Sequence, residues 1–271
     1  MGMSIFLMLG LALVFGTILS VAHRFLHVDE DPRIDTVADM LPGSNCGACG
    51  EPGCRAFAEK LVSAAAQPAG CSVSATEQVD EIAAFLGVDA GERVKLVARL
   101  HCGGGRGLAL NAAEYSGMST CGAAALVNGG NKACEWGCLG LADCQVACTF
   151  DAIQMNERLL PVVHPDLCTA CGDCVVACPK DLFTLEPISQ PLLVQCKAPT
   201  TGEAARAVCT VACDGCGRCV ADAGEGVMVM EQGLPVIVQP LLTSRSATFR
   251  CPSGAIAWVE GSQFAFEAME V

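Results

Sequence analysis

Cysteine is the residue that most constrains the fold of this chain, because it occupies 20 of the 271 positions. Aromatic residues make up only 5% of the sequence, so a core built mainly from large rings is not expected. Thiols used this heavily form disulfides, bind zinc or bind iron–sulfur clusters. The spacing of the cysteines and the compartment of the chain distinguish these three uses.

The strongest motif is a pair of cysteine runs in the middle of the chain. The second run, CTACGDCVVACP, has the C-x2-C-x2-C-x3-C-P spacing of bacterial ferredoxins. The first run, CEWGCLGLADCQVAC, has looser early spacing and is followed by Thr149 where proline is usual. In two-cluster ferredoxins the fourth cysteine of each run ligates the other cluster. This rule predicts two [4Fe–4S] clusters, one held by Cys134, Cys138, Cys144 and Cys178 and the other by Cys168, Cys171, Cys174 and Cys148.

A separate cysteine set lies near the N-terminus with the spacing C-x2-C-x4-C-x16-C. Its members are Cys46, Cys49, Cys54 and Cys71. Gly47, Gly50 and Gly53 allow turns that a Cβ would obstruct, and they leave amide groups free to point at sulfur. We expect a third [4Fe–4S] cluster here. Four thiolates also suit zinc, so a zinc site remains the alternative, although zinc knuckles usually pair two C-x2-C units.

The C-terminal part of the chain resembles a ferredoxin module that has lost half of its ligands. The run CDGCGRC lacks the cysteine expected three residues after its last one, and CPSGAI, far downstream, lacks the three cysteines expected before it. The crossed-ligand rule leaves one complete set, which predicts a fourth cluster. Its ligands are Cys213, Cys216, Cys219 and Cys251.

Four cysteines remain outside these sets, namely Cys102, Cys121, Cys196 and Cys209. They could be buried free thiols that pack as small hydrophobic side chains. They could also hold a fifth, sequence-dispersed cluster or form disulfides. Iron content would separate the possibilities, because four clusters contain about 16 iron atoms and five contain about 20.

The N-terminal segment has no charged side chain before Arg24. An apolar helix of about 20 residues is about 30 Å long and spans the hydrocarbon core of a bilayer. Because the first positive charge follows the apolar run, the positive-inside rule places the rest of the chain in the cytoplasm. A cleaved signal peptide is the alternative, but a basic n-region is missing and the apolar run is long. Cytoplasmic thiols stay reduced, which disfavours disulfides.

The predicted fold class is α+β: a single N-terminal transmembrane helix, a small helical 4Fe-4S domain and then bacterial ferredoxin-like modules. Apolar spacing near 3.6 predicts helices in RAFAEKLVSAAA, TEQVDEIAAFLGV and GERVKLVARL. Aliphatic runs after the cysteine motifs predict β-hairpins in FDAIQMNERLLPVV, KDLFTLEPISQPLLV and GAIAWVEGSQFAF. The expected segments are 1–26 (anchor), 27–90 (4Fe-4S domain), 91–130 (glycine-rich connector), 131–190 (two-cluster ferredoxin domain) and 191–271 (degenerate one-cluster domain).

Several functions are disfavoured by composition. The net charge of −13 argues against nucleic acid as a partner, since no basic stripe could neutralise phosphates. The glycine-rich stretch HCGGGRG at 101–107 lacks the complete fingerprint of a nucleotide-binding loop and reads as a connector. No nucleophile, catalytic acid or base can be argued from the sequence, so we expect no substrate-turnover site. A membrane-tethered string of one-electron centres predicts an electron conductor.

Taken in order, four stretches resemble a known family: DMLPGSNCGACGEPGCRAFAEKL, VARLHCGGG, ACEWGCLGLADCQVACTFDAI and CTACGDCVVACPKDLF. They look like the polyferredoxin subunit, the B subunit, of the Rnf-type ion-translocating electron transport complex. The departure lies at 191–271, where longer members of the family carry additional complete ferredoxin repeats.

The resemblance implies a function in a complex that couples electron flow between reduced ferredoxin and NAD to the pumping of Na+ or H+. The chain would take electrons from soluble ferredoxin and pass them to membrane partner subunits, with its bulk on the cytoplasmic side of the inner membrane. NAD and flavin sites would lie on those partners. Two alternatives remain, namely a ferredoxin-like subunit of another membrane-bound oxidoreductase and a zinc-stapled membrane scaffold. Docking of an acidic ferredoxin would need a basic patch, for which the candidates are Lys180, Lys197, Arg206 and Arg218.

Overall fold

The computed structural model describes residues 2–26, 30–240 and 243–264. This part of the chain contains short helices and four two-stranded antiparallel sheets, in agreement with the predicted mixture of helix and strand. The helices are α1 (Gly2–Leu26), α2 (Arg33–Met40), α3 (Cys54–Val62), α4 (Thr76–Leu86), α5 (Cys121–Leu126), α6 (Asp143–Ala147), α7 (Asp173–Ala177), α8 (Gly202–Val208), α9 (Arg218–Ala223) and α10 (Ser246–Phe249). The strands are β1 (Leu96–Leu100), β2 (Ile153–Met155), β3 (Pro161–Val163), β4 (Phe183–Pro187), β5 (Leu192–Val194), β6 (Met228–Glu231), β7 (Leu234–Ile237) and β8 (Ile256–Trp258).

Helix α1 is the candidate membrane anchor. Its segment Phe6–Phe25 is long and apolar enough to cross a bilayer, a test that a signal sequence near the N-terminus also passes. Large apolar side chains along this segment are exposed, including Phe6 at 80% and Phe25 at 81%. No other part of the described chain packs against them extensively enough to hide them from solvent, which fits a lipid environment. His27 lies outside the described residues.

Helices α2, α3 and α4 form a small module around the N-terminal cysteines. Val37, Phe57, Leu61 and Ile82 are buried in its core. The predicted helices at 55–66 and 76–88 are both confirmed, and α4 ends where Gly87 adopts a φ of +68°. A glycine in this left-handed conformation is a common way to end a helix.

The helix predicted in GERVKLVARL is wrong, because this stretch forms strand β1 instead. It pairs antiparallel with β4, with Leu96 opposite Pro187 and Leu100 opposite Phe183. Four of the five residues of β1 are buried, which the one-sided spacing of an amphipathic helix would not produce. Strand β1 lies within the predicted connector, yet its partner belongs to the ferredoxin segment, so a sheet joins the two segments.

Of the three predicted hairpins, only the first forms. Strands β2 and β3 pair with Ile153 opposite Val163, as FDAIQMNERLLPVV predicts. The hairpin predicted in KDLFTLEPISQPLLV is wrong, because β4 pairs with β1 and β5 pairs with β8. The hairpin predicted in GAIAWVEGSQFAF is also wrong within the described residues, where β8 is the only strand of that stretch; positions 265 and 266 lie outside them. In both cases a distant strand supplies the hydrogen bonds.

A further hairpin, β6–β7, was not predicted. Met228 lies opposite Ile237, and the turn at Gln232 and Gly233 has φ values of +49° and +83°. Two consecutive positive φ angles are typical of the tight turns that connect hairpin strands.

Gly105 lies where a side chain would meet neighbouring backbone. A Cβ at this position would be 2.7 Å from the carbonyl oxygen of Arg158 and 3.0 Å from Leu160 Cγ. Replacing Gly105 with alanine should therefore destabilise the fold by about 1–3 kcal/mol, measured as the denaturant midpoint by circular dichroism. Gly70→Ala is the control, because its φ is not positive and its Cβ would lie 3.5 Å from Phe57 Cζ, an ordinary van der Waals contact. An equal loss in both variants would contradict the steric argument.

Candidate iron–sulfur sites

All 20 cysteines are free thiols, and they line five cavities with four cysteines in each. The cavities are small, with free volumes between about 10 and about 20 Å³. We name the sets by position: the N-terminal set (Cys46, Cys49, Cys54, Cys71), the first ferredoxin set (Cys121, Cys138, Cys144, Cys178), the second ferredoxin set (Cys148, Cys168, Cys171, Cys174), the junction set (Cys102, Cys134, Cys196, Cys209) and the C-terminal set (Cys213, Cys216, Cys219, Cys251).

The N-terminal set has the membership that its spacing predicts. Cys54 begins α3, and its backbone N–H donates to Asn45 Oδ1 at 2.8 Å. Gly47 and Gly50 adopt φ values of +72° and +85°, so the loop makes turns that favour glycine. Burial raises the pKa of the Cys49 thiol.

The second ferredoxin set also has the predicted membership. Cys174 lies on α7, whereas Cys148 follows α6 and reaches across to the same cavity. The backbone N–H of Ala152 donates to Cys148 Sγ at 3.3 Å. Burial raises the pKa of Cys174 to about 12, and the neighbouring thiols Cys168 and Cys171 contribute to the rise.

The first ferredoxin set differs from the prediction, because Cys121 occupies the place expected for Cys134. Cys121 begins α5, and Asp143 on α6 holds the start of that helix. The two carboxylate oxygens of Asp143 accept hydrogen bonds from the backbone N–H groups of Cys121 at 2.8 Å and Gly122 at 2.9 Å. Since Cys144 follows Asp143 directly, this contact brings Cys121 to the cavity. The sequence signal is the N-cap Thr120, which marks a helix start.

Cys134 lies in the junction set instead, with three of the four cysteines that the motifs left unassigned. The local backbone explains this placement. Asn111 and Lys132 form a β-bridge, and the N–H of Ala133 donates to the carbonyl of Leu110 at 2.9 Å. Ala109 forms a second bridge to Cys209. Cys134 is thereby held beside Cys209 and not in the first ferredoxin set, which contains Cys138.

The C-terminal set is assembled as the degenerate repeat predicts. Cys219 lies on α9 and Cys251 follows α10, and the two helices pack against each other. Burial raises the pKa of Cys213 to about 11, with contributions from the nearby thiols of Cys196, Cys219 and Cys251.

The cavities fit a four-iron cluster better than a single ion. A structural zinc site needs its ligands to converge on one point, with Zn–S distances of about 2.3 Å. Within the described residues, no three His, Cys, Asp or Glu side chains form such a group. The thiols instead surround a space. Burial raises the pKa of Cys138 to about 12, and metal binding would replace the proton on this thiol.

Backbone amides complete the fit. The N–H two residues after a cysteine faces its sulfur and opposes the rise in pKa, as Glu51 does for Cys49 and Gly140 does for Cys138. The same relation joins Gly215 to Cys213. Amide donors directed at sulfur stabilise thiolates and tune the potential of a bound cluster.

The candidate docking residues are mostly engaged within the chain. Lys180 Nζ donates to the carbonyl of Glu135 at 2.7 Å, and Lys197 Nζ donates to the carbonyl of Asp181. Arg206 forms an ion pair with Asp214. Arg218 is exposed. The charges of the first three residues are therefore partly satisfied locally, and a docking role for the four remains a prediction.

Two family models match parts of the chain that contain cysteine sets. A family model described as "Putative Fe-S cluster" matches residues 41–73, and a 4Fe-4S binding domain matches residues 161–184. The first match includes the N-terminal set and the second includes the second ferredoxin run.

Relatives with curated names resemble the chain over most of its length. The B subunit of the Na+-translocating ferredoxin:NAD+ oxidoreductase complex from Acetobacterium woodii is 44% identical over 201 residues, which are 74% of this chain and 60% of that relative. The B subunit of the ion-translocating oxidoreductase complex from Methanosarcina acetivorans is 37% identical over 93% of this chain and 96% of the relative. The B subunit of the proton-translocating ferredoxin:NAD+ oxidoreductase complex from Clostridium ljungdahlii is 36% identical over 91% of this chain and 88% of the relative. On this identity and coverage, the chain belongs to the family of B subunits of the ion-translocating oxidoreductase complexes.

Proposed function

We propose that this chain is the membrane-anchored electron-relay subunit of an ion-translocating ferredoxin:NAD oxidoreductase complex. The observation that carries the proposal is the arrangement of cysteines in tetrads around cavities of similar size. When bound, [4Fe–4S] clusters accept and release single electrons. The chain's own residues supply the thiolates, shield them from water and place the tetrads next to one another.

The two ferredoxin sets share their supporting helices, which keeps them adjacent. Cys144 on α6 belongs to the first set, whereas Cys148 just after α6 belongs to the second. In the same way Cys174 on α7 belongs to the second set and Cys178 just after α7 to the first. Helices α6 and α7 pack together. This crossed ligation couples the folding of the two halves to metal binding.

The names of the relatives and the apolar helix α1 support a proposal for the partners and the location of this chain. The names of the relatives from Acetobacterium woodii and Clostridium ljungdahlii include ferredoxin and NAD+. For this chain we propose soluble ferredoxin as the electron donor and the other subunits of the complex as acceptors. Arg24 follows the apolar part of α1, which supports a single-pass anchor in the inner membrane with the bulk of the chain in the cytoplasm. Substrate turnover belongs to the assembled complex.

The test is reduction of the anaerobically purified chain by a soluble donor. Reduced ferredoxin should bleach the broad visible absorbance of the chain's iron–sulfur clusters, whereas NADH alone should not. A colourless chain loaded with zinc would reject the proposal in favour of a zinc-stapled scaffold. A brown chain that ferredoxin cannot reduce, and that co-purifies with hydrogenase or other reductase subunits, would favour the second alternative.

A further inference from the structure

We propose that the junction set, Cys102, Cys134, Cys196 and Cys209, holds a fifth [4Fe–4S] cluster that connects the ferredoxin sets to the C-terminal set. The proposal rests on the proposed function only in requiring that the chain carry clusters at all. Neither matched family domain includes any of these four cysteines. Their spacing along the sequence follows no cysteine motif, so the evidence comes from where the fold places them.

The first argument is the cavity itself. The four thiols of the junction set line one cavity, and Cys102, Cys134, Cys196 and Cys209 are the cysteines in its wall. Each of the other four cysteine sets also places four thiols around one cavity. The junction set therefore repeats the arrangement of the sets for which the sequence motifs predict a cluster.

The second argument is that independent backbone elements bring the four cysteines together. Cys102 follows strand β1 and Cys196 follows β5, and the two chain segments are joined by a hydrogen bond from the N–H of Gly103 to the carbonyl of Gln195 at 2.9 Å. Cys209 caps the C-terminal end of α8. The bridges described above add Cys134. The glycine-rich stretch at 101–107 thus serves this cavity, because Gly103 and Gly104 line it.

The third argument is the orientation of backbone amides toward the sulfurs. The backbone N–H of Cys138 donates to Cys102 Sγ at 3.4 Å. The second ferredoxin set shows the same kind of contact, because the N–H of Ala152 donates to Cys148 Sγ at 3.3 Å. Thiols that served only as packing groups would not require amide donors, whereas cluster-bound thiolates use them.

The fourth argument is a wall adapted to the sulfurs and to negative charge. A Cβ on Gly104 would lie 3.0 Å from Cys209 Sγ and 3.8 Å from Cys102 Sγ. Any residue other than glycine at this position would therefore have to displace a neighbouring atom. Lys132 Nζ donates to the carbonyl of Gly104. This contact holds the positive charge of Lys132 beside the cavity wall that Gly104 forms. This charge would partly neutralise the negative charge of four thiolates around a cluster.

The position of the site between two other sets gives it a role. On one side the N–H of Cys138, a first-ferredoxin-set residue, donates to Cys102 Sγ at 3.4 Å. On the other side Ala212 lines the junction cavity, and the next residue, Cys213, lines the C-terminal cavity. The junction set is therefore connected through backbone to a neighbouring set on each side. This position gives an electron a route through the junction site between the ferredoxin sets and the C-terminal set.

Iron and acid-labile sulfide per chain provide the test. The anaerobically purified wild-type chain should contain about 20 iron atoms, and the Cys196→Ser/Cys209→Ser variant should contain about 16. Ala207→Ser on α8 is the matched control, because its exposed side chain lies outside the cavity lining and its replacement removes no thiol; its iron content should equal that of the wild type. Sulfide should fall in parallel with iron.

The outcomes separate this proposal from the proposed function. A wild-type value of about 16, or an unchanged value of about 20 in the double variant, would overturn the fifth cluster and leave the electron relay intact. A wild-type chain without iron or sulfide would overturn both. If the double variant does not accumulate, the wild-type value alone decides the question, since four clusters cannot account for about 20 iron atoms.

Discussion

Replacing Cys171 with alanine is expected to stop ferredoxin-dependent electron flow through the assembled complex. Cys171 lines the cavity of the second ferredoxin set, and burial raises the pKa of its thiol. Residues that only support a metal ligand typically contribute about 10- to 100-fold to metal affinity or activity, so loss of a ligand should cost more than about 100-fold. The measurement is ferredoxin-driven NAD reduction in membrane vesicles that contain the complex.

The control for Cys171→Ala is Val176→Ala on helix α7. Val176 is 89% exposed and does not line the cavity, so its replacement should leave the rate and the iron content unchanged. The cysteine variant should also lose about four iron atoms per chain, which distinguishes a lost cluster from a lost docking contact. Electron flow at the full wild-type rate in Cys171→Ala would contradict the relay model.

Three of the five cysteine sets could be predicted from spacing, because their ligands come mostly from short, local units. In the N-terminal set one loop and the start of α3 contribute Cys46, Cys49 and Cys54. The second ferredoxin run forms a loop followed by α7, and the crossed ligand Cys148 follows from the internal repeat. The C-terminal set follows from the same repeat, even though half of its ligands are missing. Such motifs fold in the same way wherever they occur.

The junction set and the exchange between Cys121 and Cys134 could not be predicted in this way. The spacing of the first run, C-x3-C-x5-C-x3-C, departs from the ferredoxin pattern at its beginning, which is where the prediction fails. The decisive contacts are long-range: Asp143 holds the start of α5, and the Asn111–Lys132 and Ala109–Cys209 bridges together hold Cys134 beside Cys209. No periodicity in the sequence reports a contact between positions so far apart.

The helix predicted in GERVKLVARL, where the structure has strand β1, is wrong for a related reason. Its apolar residues recur with a spacing that also suits a helix, and short apolar runs are ambiguous between the two structures. The antiparallel pairing of β1 with β4 decides the outcome, and that partner lies in a different segment of the sequence. The same competition for distant partners explains why β4 and β5 do not form the expected hairpin.

Pairing in β1 also buries an arginine beside a cysteine set. Arg99 is 1% exposed, its Nη1 donates to the carbonyl of Gly261 at 3.0 Å, and its Nη2 has no hydrogen-bond partner among the described residues. Burial lowers the pKa of Arg99, while the charges of Glu186 and Cys168 oppose this shift. Because a guanidinium stays protonated in proteins, the chain keeps a buried positive charge near the second ferredoxin set.

The nearby carboxylate does not cancel this charge completely. Burial alone would raise the pKa of Glu186, but hydrogen bonds with His101 and Thr184 hold it below its usual range. Glu186 therefore carries a negative charge that is shared among several partners. The remaining attraction acts on the thiolate of Cys168 and on any cluster bound there, and a nearby positive charge favours the more negative, reduced state of a cluster.

Replacing Arg99 with methionine is therefore expected to lower the midpoint potential of the centre held by the second ferredoxin set. We expect a shift of at least about 59 mV, which is a tenfold change in a one-electron equilibrium. Redox titration followed by EPR measures it, and an unchanged iron content shows that the site still forms. Arg99→Lys should restore most of the potential, because it retains the charge.

Arg93 offers the matched control for removal of an arginine. It is exposed, and its Nη2 donates to the carbonyl of Ser72 in the N-terminal module at 2.8 Å. Arg93→Met should leave the potential of the second ferredoxin centre unchanged, because an exposed charge is screened by water and salt. If Arg99→Met retained full iron and the wild-type potential, the buried guanidinium would be a structural element of the β1–β4 sheet only. A shift that appeared equally in Arg93→Met would point to overall charge instead of burial.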